Sequence, residues 1–150
     1  MKRVVVLLSF LALFLFIVTQ PRAGADKVVM HKTDDPEVLK TISIARSRWP
    51  EFVSAFNNKQ GDKFEVKVPF RDKESGQLEL MWILVKQING STIRGSLDND
   101  PVSVKNIKAG DPVTAKQADI EDWTYVDKAN KQRGLFLAPI LNKRASKTQK

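Results

Sequence analysis

Cysteine is absent from these 150 residues, and histidine occurs once, at His31. The first absence removes disulfides, zinc fingers, iron–sulfur clusters and thiol nucleophiles. The second removes a Ser-His-Asp triad, an HExxH zinc site and any multi-histidine metal centre. Glycine is sparse as well: Gly90, Gly95, Gly110 and Gly134 stand isolated, so no glycine-rich phosphate loop exists. Met30 beside His31 offers one thioether and one imidazole, too small a ligand set for copper. No cofactor and no metal is therefore expected, and stability must come from a packed core.

Acidic residues are the minority, 17 against 25 Lys plus Arg, but the excess lies at the two ends. Lys2, Arg3 and Arg22 occur without an acid in residues 1–25, and Lys143, Arg144, Lys147 and Lys150 without one in 142–150. The stretch between them is nearly neutral. Nucleic-acid binding needs a basic face interleaved with stacking aromatics, and this distribution argues against it. Residues 142–150 read as a disordered basic tail, capable of weak contact with anionic surfaces through charge alone.

What the sequence does have is a long apolar run near its start. Met1-Lys2-Arg3 is a short positive region, Val4 to Val18 is apolar except for Ser9, and Ala23-Gly24-Ala25 supplies small residues for a signal peptidase. This is the pattern of a secretory signal peptide over 1–25, cleaved between Ala25 and Asp26. Fifteen apolar residues reach about 22 Å as a helix, short of a membrane's hydrocarbon thickness. No integral span is expected to remain after cleavage, and the expected location is the periplasm or the extracellular space.

Residues 26–33 read as a flexible lead-in, and 34–141 as one domain. Asp34-Asp35-Pro36-Glu37 starts a helix, with an Asp cap, Pro at the first helical position and an acid in the first turn. Val38, Ile42, Ala45, Trp49, Phe52 and Phe56 follow at alternating steps of four and three, tracing one helix face that Pro50 must kink or break. From Lys63 the period changes to two. Phe64, Val66, Val68 and Phe70 alternate with polar residues. Leu78, Leu80, Trp82 and Leu84 line one face of the next strand and Met81, Ile83 and Val85 the other, which suits a central strand. Asn89-Gly90 signals a hairpin that leads to Ile93 and Leu97. A short strand is expected over Val113 to Ala118, then Ile120 to Val126, then an apolar run from Gly134 to Leu137. The fold class implied is α+β, with a kinked helix or helix pair packed on an antiparallel sheet.

Candidate chemistry is thin. Asp119, Glu121 and Asp122 form the densest carboxylate cluster, and paired carboxylates can hydrolyse glycosidic bonds. Trp82, Trp123 and Tyr125 can line a ligand groove, although core packing is favoured for the two tryptophans. Arg46 and Arg48 flank the Trp49-Pro50 break, where a guanidinium can bind an anion or a partner's carboxylate.

The order of Ala45-Arg46, Trp49-Pro50-Glu51-Phe52, Phe64 to Phe70, Glu79 with Met81-Trp82, Gly95-Ser96-Leu97-Asp98-Asn99 with Pro101, and Gly110-Asp111 leading to Ile120 to Tyr125 resembles the YegJ-like family of bacterial proteins, a domain of unknown function. Leu80 stands where that pattern often carries His, so no histidine chemistry transfers. The resemblance implies an envelope or accessory domain without an established reaction. The reading is an exported domain, more an accessory protein than an enzyme, that binds an envelope protein or small ligand through Asp122, Trp123, Tyr125, Asn99 and Arg46. The alternative is a carboxylate-dependent hydrolase of an envelope polymer.

Overall fold

Asp35 starts the first helix by accepting hydrogen bonds from the amides of Glu37 at 2.9 Å and Val38 at 3.2 Å, with Pro36 in the first turn where its missing N–H costs nothing. The computed structural model describes residues 35–148. The expectations for 1–33, including the signal peptide, its cleavage at Ala23 and Ala25 and the role of His31, lie outside the described residues.

Helix α1 runs Pro36–Ser47 and α2 runs Trp49–Asn57, joined at Arg48. Pro50 causes the break. It has no N–H for the carbonyl of Arg46 and disfavours helical torsions at the residue before it. The two helices nevertheless present one continuous face, with Val38, Ile42, Ala45, Trp49, Phe52 and Ala55 all buried.

Six strands among the described residues form one antiparallel sheet: β1 Gly61–Arg71, β2 Leu78–Asn89, β3 Thr92–Leu97, β4 Pro112–Lys116, β5 Asp122–Asp127 and β6 Gln132–Gly134. Their spatial order is β4-β3-β2-β1-β5-β6. Val66 pairs with Ile83 on one side and with Trp123 on the other, so these three side chains share a face, and α1 and α2 cover it. A bulge between Asp62 and Glu65 sets two residues, Lys63 and Phe64, against the single Tyr125.

Trp82 does not join that core. It pairs with Lys67 on the opposite face, half-buried, with the Lys67 ammonium 4.9 Å from its ring centroid. Alternation made both faces of β2 apolar, and the side that meets the helices is the one with Met81, Ile83, Val85 and the carboxylate Glu79.

Two boundaries also differ from expectation. The strand after Pro112 stops at Lys116 and gives way to a 3₁₀ turn over Gln117–Asp119. The apolar run from Gly134 to Leu137 begins where β6 ends, and Leu135 turns with φ 63. Finally, α3 spans Ala138–Thr148, so most of the stretch read as a disordered tail is helical. After Pro139 that segment has neither Gly nor Pro and is rich in Ala, Leu, Lys and Arg, which favour helix. Leu137, just before it, and Leu141 within it pack against Val38 and Ile42, anchoring its start to α1.

Candidate functional site

Of the aromatic candidates, Trp123 and Tyr125 are core and Trp82 is not. Trp123 is fully buried and its indole N–H donates to the carbonyl of Ala45 at 2.7 Å. Its ring lies 5.5 Å from Phe52 and 5.1 Å from Phe136, and Tyr125 stacks on Phe64 at 4.9 Å. Tyr125 also borders a polar hollow of about 310 Å³ edged by Lys63, Thr124, Asn130 and Gln132.

Asp122 pairs with Lys67 across β1 and β5, on the face away from Trp123. Its Oδ1 accepts from the amides of Trp123 at 2.8 Å and Phe136 at 3.0 Å, and its Oδ2 from that of Leu137 at 2.8 Å. Burial pushes the carboxyl up, against the opposing pull of those three amides and of Lys67. The structure thus uses this carboxylate to fasten the segment leading into α3. Asp119 sits in the exposed 3₁₀ turn and Glu121 precedes β5, so the three acids converge on no common point.

Asn99 likewise serves the backbone. Its Oδ1 accepts from the amide of Trp82 at 2.7 Å, while the amide of Asp98 donates to the Trp82 carbonyl at 2.9 Å. These bonds continue the β2 ladder where β3 has ended. Nearby, buried Glu79 accepts from the amides of Val102, Ser103 and Val104 at 2.7 to 3.1 Å. Asp72 accepts from Ser75 and Glu74 in its own turn and from the amide of Lys105 at 2.9 Å. Those donors hold the Asp72 carboxyl at about 2. Asn99, Glu79 and Asp72 together give the long β3–β4 connection a fixed shape, and Val104 at its middle reaches the core.

The two arginines at the helix break have different roles. Arg48 is occupied: its Nη2 lies 2.6 Å from Glu51 Oε2 and its guanidinium 5.2 Å from the Phe136 ring centroid. Arg46 reaches the other way, donating from Nε to the carbonyl of Ile120 at 2.7 Å. It edges a cleft of about 260 Å³ lined also by Trp49, Ser91, Gln117, Ala118 and Ile120. Trp49 and Ile120 are buried and form the floor; Arg46, Ser91, Gln117 and Ala118 are exposed and form the rim. The amide of Gln117 donates to the Ser91 carbonyl at 2.8 Å, fastening the β2–β3 turn to the 3₁₀ turn. Of the residues singled out by sequence, Arg46 alone reaches this cleft. Its neighbour Trp49 is legible only as a member of the helix face, three residues on, and nothing in the sequence brings Ser91 or Gln117 to it. Among the described residues, no group of three His, Asp or Glu side chains is placed to hold a metal, and no helix is long and apolar enough to cross a membrane.

The sequence model of a family described as an uncharacterised protein conserved in bacteria (DUF2314) matches residues 35–150. The uncharacterised protein YegJ of Escherichia coli K12 is 28% identical over 141 residues, 94% of this chain and 89% of YegJ. A protein of Neisseria meningitidis serogroup B, named as a candidate ankyrin repeat protein, is 41% identical over 63 residues, 41% of this chain and 25% of its own length. No solved structure matches.

Proposed function

We propose that this chain, which belongs to the DUF2314 family of uncharacterised bacterial proteins, is an exported accessory domain that binds a partner and does not catalyse a reaction on it. The observation that carries the reading is the Arg46–Trp49 cleft, where a buried aromatic floor meets a cation on the rim. Concave sites with an apolar lining and a few placed polar groups are the common form of a binding site. The carboxylates support the same reading, because Asp122, Glu79 and Asp72 direct their oxygens at backbone amides. Export rests on the positive start, the apolar run Val4 to Val18 and the small residues before Asp26. In the Neisseria protein the similar segment is a quarter of a longer chain, which is in keeping with a module used beside other sequence.

The test is capture of partners from an envelope extract by the mature chain and by Arg46→Ala. A protein retained by the wild type and lost from the variant supports the proposal, provided the variant's circular dichroism is unchanged. Turnover of an envelope polymer by the purified chain, with no partner retained, overturns it in favour of the hydrolase reading.

A further inference from the structure

We propose that the cleft at the helix break takes a carboxylate carried beside an apolar side chain, which is the chemistry of the last residue of a polypeptide. This rests on the binding reading above and names what that site recognises.

The argument begins with two donors. Arg46 is held along one edge by its Nε bond to Ile120, and among the described residues no hydrogen bond or ion pair engages its Nη1 or Nη2. A guanidinium fixed in this way presents its remaining N–H groups as a preorganised fork for a carboxylate. Trp49 is only 5% exposed, yet its indole N–H has no partner among the described residues. Trp123, fully buried, directs its own N–H to a carbonyl. Trp49 lines the cleft, and an acceptor entering there can complete the donor that the protein leaves unpaired.

The remaining features narrow the ligand. Arg46 is the one charged side chain lining the cleft, so the complementary charge is negative. The floor of Trp49 and Ile120 is apolar and asks for an apolar group next to that charge. A volume of about 260 Å³ accommodates a side chain with its carboxylate and falls below the usual size of a drug-like site. An internal Asp or Glu carries its carboxylate at the tip of its own stem. A chain end carries a carboxylate and an apolar side chain on the same Cα, pairing an anion for the cation on the rim with an apolar group for the floor.

Fluorescence anisotropy on the full mature chain tests this with three labelled probes: Gly-Gly-Ser-Leu as the free acid, the same peptide as its C-terminal amide, and Gly-Glu-Ser-Leu amide. The free acid is expected to bind at least about tenfold more tightly than either amide, since a charge-assisted contact is lost in each. Its affinity should fall with added salt. Arg46→Gln should abolish the preference. Because that change also removes the bond to Ile120, Ala118→Asp on the exposed rim provides a second variant, which should weaken the free acid by about tenfold through repulsion while sparing the amide. Equal binding of acid and amide, a preference for the internal Glu, or indifference to Ala118→Asp overturns the inference. If no probe binds but Arg46→Ala still loses its captured partner, this inference falls and the binding reading stands.

Discussion

Trp123 connects the helices to the sheet through its indole bond to Ala45 and its contacts with Phe52 and Phe136. Truncating a buried tryptophan removes a large apolar area and leaves a cavity. Trp123→Ala should therefore cost about 3 to 5 kcal/mol, read as a drop in the urea midpoint; a midpoint equal to wild type would place the ring outside the core. The adjacent Gly134 is required by close approach: with φ 79 it lies against Trp123, and a Cβ there would collide with the Trp123 carbonyl and ring. Asp122, one residue earlier, shows how a chemically suggestive carboxylate can be structural. Carboxylates near aromatics look alike in a sequence whether they face a ligand or backbone amides. Only the positions of Phe136 and Leu137 distinguish the cases, and they lie fourteen and fifteen residues away.

At the scale of elements, the β3–β4 connection is the segment whose order depends most on charge. Glu79→Ala would leave the amides of Val102, Ser103 and Val104 without their acceptor. Hydrogen exchange at those three amides should accelerate by more than about tenfold, while amides in the centre of β1 change little. Unchanged protection would show that Val104 packing alone fixes the loop. Asp72 adds a pH dependence of known sign. Its carboxyl is held at about 2 in the folded protein, against about 3.9 in an unfolded chain. Its stabilising contribution is therefore complete above the unfolded value and disappears as pH falls through the folded one. The urea midpoint of Asp72→Asn should lie below wild type at about pH 6, and the gap should close by about pH 2. A gap that persists at the lower pH would assign the effect to packing. The helix pair follows a simpler logic: the break at Pro50 was legible because proline acts locally, whereas α3 was obscured by a charge run that also happens to be a good helix former.

For the whole molecule, the export proposal predicts that the protein recovered from the envelope begins at Asp26, which intact-mass measurement checks; a mass retaining Met1 to Ala25 contradicts it. The α+β class, the capped and broken first helix and the strands β1 to β3 were determined by the sequence itself. Periodicity, capping and proline effects are short-range, and they leave their marks within a few residues. The same local rules could not decide which side of β2 would face the helices. Leu80-Trp82-Leu84 and Met81-Ile83-Val85 are both apolar, and only the register with β1, which sets Ile83 beside Val66 on the face the helices cover, chose the second set. Nor could they show that Asn99 and Asp122 would be occupied by distant amides, or that Arg46 and Trp49 would face Ser91, Gln117 and Ile120 across a cleft. Those outcomes are contacts between residues up to 74 positions apart. They exist only once the sheet has closed under the helices, because burial and hydrogen-bond partners belong to the packed chain and to no segment of it.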